Sequence, residues 1–179
     1  EVMAVKPESK QITIKNLQTG ETVTDRYDRL IIATGAYAVT PPIPGADREQ
    51  VFTLRTINDM LRIHAYIIEK HVKTAAIIGA GFIGLEMCEN LAGLGVAVAL
   101  VEKLPQVAPS LDEDMAVHIR AQLEEKGVGV YTNAAVTEIT DTGVSLADGR
   151  TLPAELVIMS VGVKPNVKLA KDAGVALGV

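Results

Sequence analysis

The chain has no tryptophan, two phenylalanines, four tyrosines and a single cysteine among its 179 residues. With aromatics at 3% and hydrophobic residues at 48%, its core must be built from Val, Ile, Leu and Ala, the composition of buried parallel strands. One cysteine excludes an internal disulfide and points to a reducing, cytoplasmic setting. Basic runs are missing too: 17 Lys and Arg against 22 Asp and Glu leave a formal charge of -5, which argues against a nucleic-acid partner. The longest apolar runs, such as Val96 to Val101, fall far short of the roughly 20 residues of a membrane helix, so a soluble protein without a membrane partner is expected. No serine sits between glycines as in a nucleophile elbow, and the histidines at 64, 71 and 118 have no acidic or cysteine partner at metal-ligand spacing. No metal site is therefore expected, and His118 and Glu124 read as surface residues. Nor does a secretion signal follow Glu1, which fits a chain cut from a longer one.

What is present alternates between strand and helix patterns. Residues 2 to 5, 11 to 17 and 22 to 24 predict short strands with a turn at Thr19-Gly20. An apolar run, Leu30 to Ala33, ends at Thr34-Gly35, and the proline-rich crossing Thr40 to Gly45 marks a domain boundary. Thr56 and Asp59 form a capping-box pattern ahead of apolar positions 57, 60, 61, 63, 67 and 68, which predict an amphipathic helix ending near His71. Strand 75 to 78, helix 82 to 94 and strand 96 to 101 make a strand, helix, strand unit. A helix over 111 to 126 opens on acidic residues 112, 113 and 114, which complement its dipole. After it come a strand at 128 to 131, a meander over 134 to 140, 143 to 147 and 150 to 152, and a last strand from Val157 to Ser160.

The two ends of the chain repeat one pattern. A meander turning at Gly20 leads through Asp28 into Leu30-Ile31-Ile32 and Gly35; another turning at Gly149 leads through Glu155 into Val157-Ile158-Met159 and Gly162. Only the second copy is preceded by a glycine-rich strand, helix, strand unit. The first is an orphaned half, and a meander needs something to pack on. Three segments follow: 1–45, part of one nucleotide-type domain; 46–163, a complete one; and 164–179, a return toward the first.

Gly79-Ala80-Gly81-Phe82-Ile83-Gly84 fits the dinucleotide-binding pattern in the context it requires, after an apolar strand and opening a helix. Gly79 permits the tight turn, Gly81 lets a pyrophosphate approach the backbone, and Gly84 lets the helix lie close to the strand. Free amides at the helix start then face the phosphates. Glu102, 18 residues beyond Gly84 at the end of the second strand, is placed to accept hydrogen bonds from ribose hydroxyls. An acid there favours NADH, while the adjacent Lys103 keeps NADPH possible.

Cys88 shares a helical face with Gly84 and Ala92, a stripe of small side chains that brings the helix close to its sheet. It lies about 9 Å along the axis from Phe82, beyond the first turn where the dipole lowers a thiol pKa. Leu85, Gly84, Leu91 and Ala92 occupy its neighbouring turns, so no cation activates it and a buried packing thiol is expected. Glu86 has two readings, a first-turn residue complementing the dipole or a contact to the nicotinamide.

The stretch GAGFIGLEMCENLAGLGVAVALVE resembles the nicotinamide domain of the FAD-dependent pyridine nucleotide-disulfide oxidoreductases. LIIATGA, residues 30 to 36, is similar to that family's second FAD motif, and VIMSVGVKPN, residues 157 to 166, to the segment leaving its nicotinamide domain. FTLRTINDMLRIHAYI, residues 52 to 67, is most similar to the branch of coenzyme A-disulfide reductases, NADH oxidases and NADH peroxidases. The resemblance implies an α/β, three-layer Rossmann-like domain with a β-meander, flanked by fragments of an FAD-binding domain. Thr34 and Gly35 would approach FAD, Phe82 would gate the nicotinamide pocket, Ile83 and Glu86 would line it, Gly162 would face the carboxamide and Lys103 would touch the adenosine. It also implies a homodimeric parent enzyme carrying hydride from NADH to FAD and on to a small-molecule disulfide, persulfide or oxygen acceptor. The catalytic cysteine would lie outside this chain, which would not turn over alone. A reductase serving a ferredoxin-like protein and a regulatory nucleotide-binding module stay open as alternatives.

Overall fold

The computed structural model describes residues 1–178, which fall into two compact units. One spans Ala38–Val163; the other joins Glu1–Tyr37 to the segment from Lys164 onward. The short strands β4 (Ala36–Ala38) and β13 (Val163–Pro165) carry the chain across the boundary.

The larger unit is built on a five-stranded sheet. Its strands are β5 (Val51–Phe52), β6 (Thr74–Ile78), β7 (Ala97–Val101), β8 (Gly129–Tyr131) and β12 (Leu156–Met159), in the order β5-β12-β6-β7-β8. Every pairing is parallel, with Ile158 opposite Ile77 on one side and Phe52 on the other. Alternation along each strand sends side chains to opposite faces. Ala75, Ile77, Val98, Leu100, Leu156 and Ile158 meet helices α1 (Ile57–Lys70), α2 (Phe82–Gly93) and α3 (Glu113–Glu125). Ala76, Ile78, Val101, Val157 and Met159 meet an antiparallel meander of β9 (Val136–Ile139), β10 (Gly143–Leu146) and β11 (Thr151–Pro153). Helices, parallel sheet and meander are the three layers of the expected α/β fold.

Local chemistry places the helices. Thr56 caps α1 through a capping box with Asp59, and His71 closes it in the left-handed region at φ 52°. The Thr56 side chain, donating to the Asp59 carboxylate, holds that carboxyl below its ordinary value. The apolar pattern of α1 misleads about burial: Ile63 is buried and Ile67 packs on the core, but Ile57, Met60, Leu61 and Ile68 are exposed. The apolar positions form one wide stripe, and only the edge of it that carries Ile63 and Ile67 meets the sheet; a periodicity that counts hydrophobic positions gives the stripe but not which edge is covered. Helix α3 starts at Glu113 rather than 111 because Leu111 is held in a turn by the Ala108 carbonyl, leaving Asp112 as N-cap.

The smaller unit holds an antiparallel meander of β1 (Val2–Lys6), β2 (Gln11–Lys15) and β3 (Thr22–Arg26), and a short helix α4 (Lys168–Asp172). Ala170 is its one buried hydrophobic residue among those described. The run Leu30 to Ala33, counterpart of β12 in the repeat, forms no strand, and Ile31 is 90% exposed where Ile158 is 0%. A strand exists only where a neighbour supplies its ladder of backbone hydrogen bonds. Residues 156–159 have β5 and β6; residues 30–33 pair with nothing among those described.

Candidate dinucleotide site

At the carboxyl end of β6 the chain turns through Gly79 at φ 103°. A Cβ at Gly79 would lie 2.5 Å from the Ser160 carbonyl oxygen, so glycine is required by both conformation and space. Helix α2 then starts with Gly81 as N-cap. Gly84 sits in the first turn facing back toward Gly79: a Cβ there would fall 2.0 Å from the Gly79 oxygen. Gly81 differs from both, since a Cβ at Gly81 would meet nothing within 4 Å. Its φ of -75° suits any residue, so neither the fold nor local strain requires glycine there.

Glu102 continues from β7 and is 8% exposed, one of two polar or charged residues in the buried set. Its backbone is paired, donating to the Tyr131 carbonyl and accepting from the Ala134 amide. The carboxylate is held by two amides: Oε2 accepts from Ala80 at 2.7 Å and Oε1 from Leu104 at 2.8 Å. Each oxygen keeps a second lone pair. Ala108, buried and at φ 45°, donates its amide to the Ala80 carbonyl at 2.8 Å, which straps the loop after Glu102 onto the glycine turn.

Gly79, Gly81, Glu102, Lys103 and Gly162 line one cleft of about 600 Å³, together with Ser160 and Pro109. That volume suits a small-molecule cofactor. Gly84 lies buried beneath the turn, while Phe82 and Ile83 are exposed at the start of α2, 63% and 39%. Glu86 borders a separate groove of about 850 Å³ between α2 and α3. As the fifth residue of α2 it stands in the second turn, and the first turn holds no acid, so the dipole-complementing reading of Glu86 is corrected. Thr34 and Gly35 belong to the smaller unit. There the Thr34 hydroxyl donates to the Asn166 carbonyl at 2.6 Å, and Asn166 returns its Nδ2 to the Thr34 carbonyl and its amide to that of Gly35. Cys88 is fully buried against the sheet, and burial pushes its thiol up to about 12.

Sequence reasoning missed Ser160. Its Oγ lies 2.8 Å from the Gly79 carbonyl and 3.0 Å from that of Ile78. It looked like the last residue of a strand, and only the contact across 81 positions reveals more. The strap at Ala108 was equally silent, because a left-handed alanine carries no sequence signal. Among the described residues no cluster of His, Cys, Asp or Glu could hold a metal, and no helix is long and apolar enough to cross a membrane.

The assembled groups have definite chemistry. Unpaired amides at the start of α2 and its dipole favour an anion. The open space above Gly81 admits it to backbone contact, and the spare lone pairs of Glu102 accept from hydroxyls. A ligand joining phosphates to a ribose fits these groups.

Comparison with known proteins agrees. The family described as pyridine nucleotide-disulphide oxidoreductase matches residues 1–178. An NADH oxidase of Methanocaldococcus jannaschii is 39% identical over 99% of this chain and 41% of its own length. The reduced Bacillus anthracis CoADR-RHD structure superposes with a TM-score of 0.94 at 41% identity, over 100% of this chain and 33% of that one. The NAD-dependent persulfide reductase of A. fulgidus gives 0.91 at 37% identity, over 99% and 33%. The chain thus spans less than half the length of each.

Proposed function

Because the chain belongs to the pyridine nucleotide-disulphide oxidoreductase family, we propose that it is the NADH-holding part of a flavoprotein that passes reducing equivalents to a disulfide, persulfide or oxygen acceptor. The observation that carries this reading is the open space at Gly81 beside the buried Glu102 carboxylate. Two glycines of the motif are required by packing; the third is required only if something else comes close to the backbone. A pyrophosphate at the α2 N-terminus is that something.

NADH, when bound, supplies a hydride. Within this chain, the amides at the start of α2 bind the pyrophosphate, and Glu102 accepts from the adenosine ribose. A 2'-phosphate would bring negative charge against the buried Glu102 carboxylate, which favours NADH over NADPH. Gly162, in the same cleft, leaves the carboxamide end open because its missing side chain faces empty space. Phe82 and Ile83, exposed at the head of α2, would border the nicotinamide, and Lys103 the adenosine.

FAD would meet the smaller unit through the Thr34-Gly35 turn, which Asn166 holds in place. Among the described residues that unit has no glycine-rich turn opening a helix, so it provides one edge of an FAD site at most. Cys88 takes no part in electron transfer, since its thiol is buried away from the cleft. The parent protein in this reading is a cytoplasmic homodimer, which its mass in solution tests. For the site itself, calorimetric titration of this chain with NADH and NADPH decides: NADH should bind more tightly, and absent or reversed binding defeats the proposal.

A further inference from the structure

We propose that Ser160 is a positioning residue for the glycine turn, a role that deepens the NADH reading and rests on it. Ser160 follows β12, and its Oγ lies within hydrogen-bonding distance of two carbonyls, those of Gly79 and Ile78. A hydroxyl has one proton to give. The Ile78 carbonyl already accepts the backbone amide of Ser160 at 2.8 Å, so the hydroxyl proton goes to Gly79.

The Gly79 carbonyl is pressed against α2, as the 2.0 Å clash of a hypothetical Gly84 Cβ shows. A carbonyl so enclosed needs a protein donor. The same peptide unit carries the Ala80 amide, which donates to Glu102 Oε2 at 2.7 Å. Peptide planarity makes these two hydrogen bonds one constraint: fixing the carbonyl fixes the amide, and with it the direction of the backbone entering α2. Gly79 has no Cβ to resist rotation, so without the hydroxyl the plane is held from its Glu102 side alone. Ser160 therefore sets where the amides of the turn point and how Glu102 is presented to a ribose. Ser160 lines the cleft, but its hydroxyl proton is committed to that peptide.

The test uses the 179-residue chain with Ser160→Ala and, in case that variant does not fold, Ser160→Cys, whose thiol is a weak donor. Two quantities are read: the NADH dissociation constant by titration, and the Ala80 amide resonance by NMR without nucleotide. We expect Ser160→Ala to weaken NADH binding by about tenfold, as loss of one enclosed hydrogen bond would, and to move the Ala80 resonance. Ser160→Cys should fall between alanine and wild type in both. A purely structural serine would change thermal stability and leave these two readouts alone. NADH binding within twofold of wild type together with an unmoved Ala80 resonance, in whichever variant folds, overturns the proposal. Failure of wild type to bind NADH defeats the NADH reading instead, and the Ala80 resonance then decides on Ser160 alone.

Discussion

Ser160 and Glu102 hold opposite ends of one peptide bond: the serine hydroxyl donates to its carbonyl and the glutamate carboxylate accepts from its amide. The two residues follow β12 and β7, the strands that flank β6 on either side, at the carboxyl end of the sheet. The glycine turn between them is thus built from three directions, and its rigidity does not depend on the glycines themselves.

Glu102→Gln should cost stability as well as affinity. The carboxylate accepts from two amides, whereas a carboxamide oxygen can satisfy one and its NH2 faces the other donor. A loss of about 1–3 kcal/mol in urea unfolding is expected, with the preference for NADH over NADPH reduced in titration. Unchanged stability would contradict the two-amide geometry.

Gly81→Ala and Gly84→Ala should behave oppositely. The first adds a methyl in open space and leaves the melting temperature in place, but weakens NADH binding tenfold or more by blocking the approach of phosphate, an estimate of about 1.4 kcal/mol. The second drives a methyl into the Gly79 carbonyl and should destabilise by roughly 1–3 kcal/mol. Equal effects on stability would sink the assignment of separate roles.

The repeat supplies an internal control. Ile158→Ala, in the buried interior strand β12, should cost about 2–5 kcal/mol. Ile31→Ala, at the matching position of the first copy, should stay within about 0.5 kcal/mol, because that side chain is 90% exposed. Denaturant midpoints of the two variants check this directly.

Cys88 predicts both a rate and a pH dependence. Its thiol should react with iodoacetamide far more slowly than a free thiol at neutral pH. Raised from 9.0 to about 12 in the folded state, it makes folding bind more protons than unfolding above pH 9. Its contribution is complete below about pH 9 and is lost as pH rises toward 12. Cys88→Ala should flatten the alkaline loss of stability over that interval.

Much of this was legible because strong local signals agreed with the tertiary context. The capping box at Thr56 and Asp59, the glycine spacing from Gly79 to Gly84 and the aliphatic runs of β6, β7 and β12 each stated their own conformation. What stayed hidden was long-range or two-faced. Ser160 makes its contact across 81 positions, Ala108 acts through a left-handed turn, and the apolar stripe of α1 is wider than the edge of it that packs, so its pattern could not identify the buried residues. Glu86 is the fifth residue of a helix whose start at Phe82 the sequence predicts, so it lies one turn beyond the first-turn position assigned to it.

The ends of the parallel sheet have a consequence for handling the protein. Its edge strands are β5 and β8, two and three residues long, too short to template a strand from another molecule. The apolar Leu30 to Ala33, which pairs with nothing among the described residues, has no such protection, and a single charge at the 90% exposed Ile31 would act there as a gatekeeper.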